Sequence, residues 1–525
     1  MTTTEQQEPA TPADRHAAEP ASPADRPAAE PAVLIPSIAI AGLFAAAFLV
    51  YPEETGAWAQ SVMAGIGANF SWLYLAFGMV ALGFCLWLAL GPHGSVRLGG
   101  VAEPVEFSTP HWVAMMFTAG VGAGTVAWGF GEPIYYLETP PLGIEPYSSA
   151  AYEWGHMYPM LHWGIIPWAF YAVPAVPIAY SLYVDRARFL RISEASAGAL
   201  PRFGHSTWKV LIDIFIVLGI IAGATTSLGI GVPLVSALLS ELTGLEDSIP
   251  VKAAVLSVWV LLFGASTLRG LKKGIQKLAD FNMILAFLLL LVILLVGPTL
   301  FILKMIVNSL GLMADNFFRT NMWTDPIGQT GFPETWTVFY WGWWIAFSAF
   351  VGLFIARISR GRTIRQLVLG TILWGSLGTL SYMSITGAFS LHLQLNEILP
   401  LSDILRESGL YAVTATIASH LPFGNLSLVF FIVLCIVFYA TTMDSAAFVA
   451  SCVCSKNLRA SQEPRVSMRV AWITVLFLIT LGATLSGSLS AVQSLTVIGS
   501  LPIIPILIVM SVSLVQRLNA RRTGN

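Results

Sequence analysis

The chain has 525 residues, 56% of them hydrophobic and only 11% charged, with a mean hydropathy of +0.73. No soluble domain of that size hides so much apolar surface from water, so the composition excludes a soluble globular protein and indicates a polytopic, all-α membrane protein. The net charge of −2 conceals a strong asymmetry between loops, and no basic domain is present that could bind nucleic acid.

In chain order, residues 1–31 form a separate unit rich in Pro, Ala and Glu, in which Ala10–Pro20 recurs almost unchanged as Ala21–Pro31. Too little of it is apolar to pack, so a disordered cytoplasmic tail is expected, and its acidic character argues against a cleavable signal. Apolar runs long enough to span follow near 33–51, 71–90, 112–131, 152–183, 208–240, 250–268, 281–306, 335–356, 366–389, 425–452, 469–486 and 490–515, giving about 12 transmembrane helices. The loops between alternate runs carry Arg97; Arg186, Arg188, Arg191, Arg202 and Lys209; Arg269, Lys272, Lys273 and Lys277; Arg357, Arg360, Arg362 and Arg365; Lys456, Arg459, Arg465 and Arg469; and Arg517, Arg521 and Arg522. The other loops hold Glu53, Glu54, Glu132, Glu138, Glu145, Glu241, Glu246 and Asp247. This alternation predicts both termini in the cytoplasm and insertion in the cell inner (plasma) membrane. Residues 32–515 are thus a transmembrane domain, and 516–525 a short basic tail.

Several of these runs carry polar or strained features. The run at 112–131 contains Gly120, Gly122 and Gly124, which weaken a helix by roughly 1 kcal/mol each relative to Ala. Two readings fit: a break at mid-bilayer that lines a cavity, as in secondary transporters, or small residues that let two helices pack closely. The next run holds His156, His162, Trp163, Trp168 and Tyr171, and a later one holds Tyr340, Trp341, Trp343 and Trp344. Trp and Tyr usually sit at headgroup level, so two clusters within spans indicate a lined cavity; ring faces attract cations, above all those that shed water easily, such as a quaternary ammonium. His162 could carry protons or be a hydrogen-bonded structural residue. Asp213, near the start of its span, suits a helix cap or a partner for a loop Arg. The hydroxyls of Thr441 and Thr442 lie close in sequence to Asp444, and such oxygens are what a small hard cation needs. The basic stretches 357–365 and 270–277 are explained by anchoring to headgroups. Cys452 and Cys454 form a C-x-C pair without further ligands nearby, and no disulfide framework is indicated.

The segment Trp336–Arg365, with Tyr340-Trp-Gly-Trp-Trp344 at its centre, closely resembles the signature of the betaine/choline/carnitine transporter family. Gly91–Gly99, the Gly120–Gly124 stretch ending in Glu132-Pro133, His162-Trp163 and Asp444-Ser445 follow in that family's order. This resemblance implies two extra helices (33–90) followed by a five-plus-five inverted-repeat core of the sodium-symporter type, with repeats at 112–306 and 335–515. It also implies a homotrimer in the lipid bilayer and uptake of a trimethylammonium or related zwitterion such as glycine betaine, choline, carnitine or dimethylsulfoniopropionate. The aromatic box would comprise Trp163, Trp168, Tyr171 and Trp344, closed by the Gly120, Gly122 and Gly124 backbone, and no cofactor is implied beyond sodium as coupling ion. Sodium would meet carbonyls near Thr118 and Val121, the Phe438 carbonyl, and the hydroxyls of Thr441 and Thr442.

The sequence departs from the family's pattern at several points. Phe347 stands where another Trp is common, and Ala349 where a Pro is frequent. Ile220 and Ala224 align with the threonines of a second sodium site, although Thr225 and Thr226 are near. Gly124 replaces an acid found in proton-coupled choline members, which favours sodium coupling or substrate exchange. The tail after the last span is short, so osmosensing through it is not expected. The competing readings are a sodium-independent exchanger, a channel, a membrane sensor and, least in keeping with the residues, an integral-membrane enzyme.

Overall fold

Gly and Pro mark some of the breaks in the apolar runs, at Gly164 and at Gly297-Pro298, whereas Pro36, Pro174, Pro177 and Pro233 lie inside continuous helices. The computed structural model describes residues 28–100, 103–119, 122–187, 191–200, 205–269, 272–459 and 462–523. Its helices are α1 (Pro31–Val50), α2 (Pro52–Leu90), α3 (Thr109–Ala119), α4 (Ala123–Glu138), α5 (Ser149–Trp163), α6 (Ile165–Tyr183), α7 (His205–Thr243), α8 (Ile249–Arg269), α9 (Lys272–Val296) and α10 (Thr299–Asp315). Then come α11 (Phe317–Met322), α12 (Val338–Ile358), α13 (Ile364–Gly370), α14 (Ser376–Leu395), α15 (Leu401–Ser408), α16 (Leu410–His420), α17 (Asn425–Val453), α18 (Val466–Leu485), α19 (Leu489–Ser500) and α20 (Ile503–Thr523).

Among the described residues, 9 helices are long and apolar enough to cross a membrane, or up to 11 if each of two bent pairs is one span. The shorter apolar helix Ile249–Leu262 within α8 brings every apolar run of the sequence into a helix. Two differences stand out. α2 begins at Pro52 rather than near 71, and its 39 residues extend to about 58 Å, well beyond the ~30 Å hydrocarbon core. The run 281–306 does not continue straight, because the chain turns by 109° at Gly297-Pro298, where proline cannot donate to the helix ladder.

α12, the aromatic-rich helix, lies at the centre and packs against α6, α7, α19 and α2, while α14 packs on α4 and α5. The basic segment at 357–365 is bound to protein as well as lying at a helix end. Its backbone pairs with the loop after α2: Leu98 N–H donates to the Arg362 carbonyl (2.9 Å), Gly361 N–H to Leu98 (2.8 Å), Ile364 N–H to Val96 (2.9 Å) and Arg365 N–H to Gly94 (2.9 Å). The buried Arg362 guanidinium lies 4.1 Å from the ring centroid of Trp112 in α3 and donates to the Phe107 carbonyl at 3.0 Å. Arg365 donates to the Ala89 carbonyl at 2.8 Å, and Trp112 to Ser359 at 3.2 Å. Headgroup anchoring therefore does not account for Arg362 or Arg365. The side chains of 270–277 lie outside the described residues.

Both expected tails differ at their edges. Residues 1–27 lie outside the described residues, but Ala28–Ala29 (β1) pairs antiparallel with Ser455–Lys456 (β2), and Glu30 N–H donates to the Cys454 carbonyl at 2.8 Å. At the other end the basic tail continues as helix to Thr523, with Arg517 donating to Asp185 (2.6 Å), Ser181 (2.7 Å) and the Ala195 carbonyl (2.8 Å).

Candidate functional site

Two helix breaks and one unbroken helix build the site. The Gly-rich run separates α3 from α4, which meet at 55°; Gly120 and Val121 at the break lie outside the described residues. α5 ends at Trp163, where Gly164 turns the chain into α6, so Trp163 closes one helix while Trp168 and Tyr171 sit on the next. α12 contributes Trp343, Trp344 and Phe347.

These rings surround one cavity of about 120 Å³, lined by Gly122, Gly124, Trp163, Trp168, Tyr171, Trp343, Trp344 and Phe347 together with Thr442 and other uncharged residues. The rings stand edge to face in series. Trp163 and Trp344 have centroids 4.8 Å apart at 78°, Trp344 and Tyr171 5.9 Å at 87°, and Tyr171 and Trp168 5.4 Å at 86°. Edge-to-face contact is the arrangement the ring quadrupoles prefer. Two of the indoles are also fixed here by their N–H groups: Trp344 donates to the His162 carbonyl (2.9 Å) and Trp168 to Thr379 (3.3 Å), while the Thr379 hydroxyl donates to the Trp163 carbonyl (2.5 Å). The last bond ties α14 to the break between α5 and α6. A Cβ added at Gly124 would stand 2.9 Å from Trp343 Cη2 and 3.3 Å from Trp163 Cη2. One at Gly223 would come to 2.9 Å from the Phe347 ring, so Phe347 rests on a glycine of α7.

Behind Trp163 lies a polar cluster in which Glu132 is the centre. The sequence places Glu132 with the acids of an outer loop; the structure puts it in α4, fully buried. It accepts from Tyr136 Oη (2.7 Å), Tyr340 Oη (2.7 Å) and Trp163 Nε1 (3.0 Å), and His162 Nδ1 lies 3.2 Å away. His162 Nε2 is 3.1 Å from Thr337. The only sequence signal for this arrangement was Tyr136 one helical turn beyond Glu132, since the other partners come from α5 and α12.

Of the other ionisable groups singled out within the spans, His156, Asp213 and Asp444 are paired away from the cavity. His156 bridges Ser309 of α10 (2.6 Å) and the Ser384 carbonyl of α14 (2.8 Å), a structural arrangement. Asp213 accepts from Arg191 (2.6 Å) and from Ser193 Oγ (2.9 Å), the loop-Arg pairing expected for it. Asp444 is met by Arg469 at 2.6 Å, which turns its carboxylate to a salt bridge. Of the residues proposed around sodium, Thr441 and Thr442 both donate to the Phe438 carbonyl, at 2.9 and 3.0 Å, and Thr118 donates to Met115 at 3.1 Å. Thr442 reaches the aromatic cavity. Thr225 lines a different, apolar cavity with Ile40, Phe44 and Gly499, and Thr226 donates to the Val492 carbonyl at 2.9 Å. Cys454 is buried, and burial pushes its thiol up to about 12.

Two comparisons bear on this site. The profile of a family described as betaine/carnitine/choline family transporter matches residues 32–523. An uncharacterized transporter of Escherichia coli (strain K12), YeaV, is 33% identical over 432 residues, covering 82% of this chain and 89% of the relative.

Proposed function

The chain belongs to the betaine/carnitine/choline transporter family, and from that premise we propose that it takes up a quaternary-ammonium or related zwitterionic compatible solute by alternating access. The observation that carries this reading is a cavity within the helices walled by Trp163, Trp168, Tyr171 and Trp344 and lined, among the described residues, by no charged side chain. A hydrated ammonium or alkali cation would need carboxylates or a shell of oxygens there; a trimethylammonium head binds water weakly, and ring faces replace what it loses. Backbone N–H groups at the broken Gly122–Gly124 segment would receive the carboxylate of the ligand, since a helix N-terminus carries partial positive charge.

Sodium is the proposed coupling ion, held near Phe438, Thr441 and Thr442, where two hydroxyls converge on one carbonyl close to the cavity. Ordering of the same broken backbone by ion and solute would couple their occupancies. Sodium-independent exchange is the second reading, favoured if Thr441 and Thr442, whose hydroxyls both already donate to the Phe438 carbonyl, do not complete an oxygen shell. Both readings include cytoplasmic termini and a trimer. Thermal-shift screening against glycine betaine, choline, carnitine, dimethylsulfoniopropionate, trimethylamine oxide and taurine tests the substrate class: stabilisation by oniums and not by taurine is expected, and the reverse would refute it. Uptake into proteoliposomes with and without an inward sodium gradient separates symport from exchange.

A further inference from the structure

We infer that Glu132 is the counter-charge that gives the cavity its preference for a cationic head, acting through the indole of Trp163. This rests on the proposed onium site and adds a residue outside its wall. Glu132 does not line the cavity, so it is a positioning and polarising residue.

Three features support the assignment. First, the donors aimed at Glu132 are the set an anionic carboxylate takes: an indole N–H, which has no acceptor capacity, and two phenols, each within 3.0 Å. Second, its sole ion-pair partner among the described residues is His162, at 3.2 Å, and no Lys or Arg stands within bonding distance. Where Asp213 and Asp444 are each matched by an arginine, Glu132 meets among the described residues only an imidazole, which is positive solely when protonated, so no permanent cation beside it balances its charge. Third, the bond from Trp163 joins the carboxylate to the ring that meets Trp344 at 4.8 Å on the cavity wall. A carboxylate accepting a hydrogen bond from the indole N–H pushes electron density onto the ring, and a denser face holds a cation more strongly.

A mere structural acceptor would support cationic and uncharged ligands alike, whereas a counter-charge discriminates between them. The test uses full-length protein in nanodiscs and tryptophan fluorescence to compare the best-binding onium with its carbon isostere, for example choline with 3,3-dimethylbutan-1-ol. In Glu132→Gln the preference for the onium should fall about tenfold, through weaker onium binding and with the isostere unaffected; Glu132→Asp should keep most of the preference. Equal loss for both ligands, or no loss, overturns the inference. Trp163→Phe weakens the ring face by itself, so it serves as the background of a double-mutant cycle: Glu132→Gln added to Trp163→Phe should cause no further loss of preference, an additive loss overturns the inference, and Glu132→Asp takes the place of Glu132→Gln in the cycle if that variant does not fold. Failure of the unaltered protein to bind any onium would overturn the proposed function together with this inference, whereas onium binding with an undiminished preference in Glu132→Gln overturns the inference alone.

Discussion

At Gly124 even a single methyl presses on Trp343 and Trp163 together. Gly124→Ala should raise the apparent substrate constant at least tenfold, with the unfolding temperature changed by only a few degrees, since overpacking costs about 1–3 kcal/mol and here falls on the cavity wall. Substrate titration followed by thermal unfolding separates the two effects. Trp344→Ala removes a ring face and leaves the His162 carbonyl without its donor, so transport should show a strong rise in the substrate constant; Trp344→Phe keeps a face and should show a smaller one. Equal uptake by the two variants would remove the ring-face argument. At position 347 an indole must fit where a phenyl ring already rests on Gly223. Phe347→Trp should improve trimethylammonium handling if the ring bears on the ligand, and leave it unchanged if Phe347 only packs.

At the scale of elements, the segment after α12 behaves as a clasp. Arg362 stacks on Trp112 of α3 and bonds the Phe107 carbonyl, so the helix that carries half of the glycine break is tied to the helix that carries the aromatic cluster. Arg362→Lys keeps the charge but loses the planar fork, and should cut transport severely while substrate affinity in detergent changes less; parallel uptake and binding assays read the difference. Hydropathy made the spans legible because their apolar surface has nowhere else to go, and the two aromatic clusters were legible because rings of that kind are out of place within a span. Arg362 was not, since an arginine at a helix end looks the same whether it meets a phosphate or a tryptophan. Glu132 was not for a related reason: it stands at the margin of a polar loop, and apart from Tyr136 the partners that justify its burial come from 30 to more than 200 residues away. The turn at Gly297-Pro298 was written in the sequence, but an apolar run on both sides of it masked the break.

For the whole molecule, the alternation of basic and acidic loops predicts which side each faces. All four cysteines are buried, so a single added thiol can be read without background. A cysteine at Glu397 should react with an impermeant reagent in intact cells, and one at Asn457 only after the membrane is opened; the opposite pattern would invert the topology. One consequence concerns α20. Its Arg517 bolts Ser181, Asp185 and the turn at Ala195 to the final helix, and α6, whose end it grips, is the helix that bears Trp168 and Tyr171. A reporter joined after Asn525 leaves that bolt in place, whereas trimming the chain back to Ser513 would free the end of α6, and a deletion made for convenience of expression would change the very helix under study.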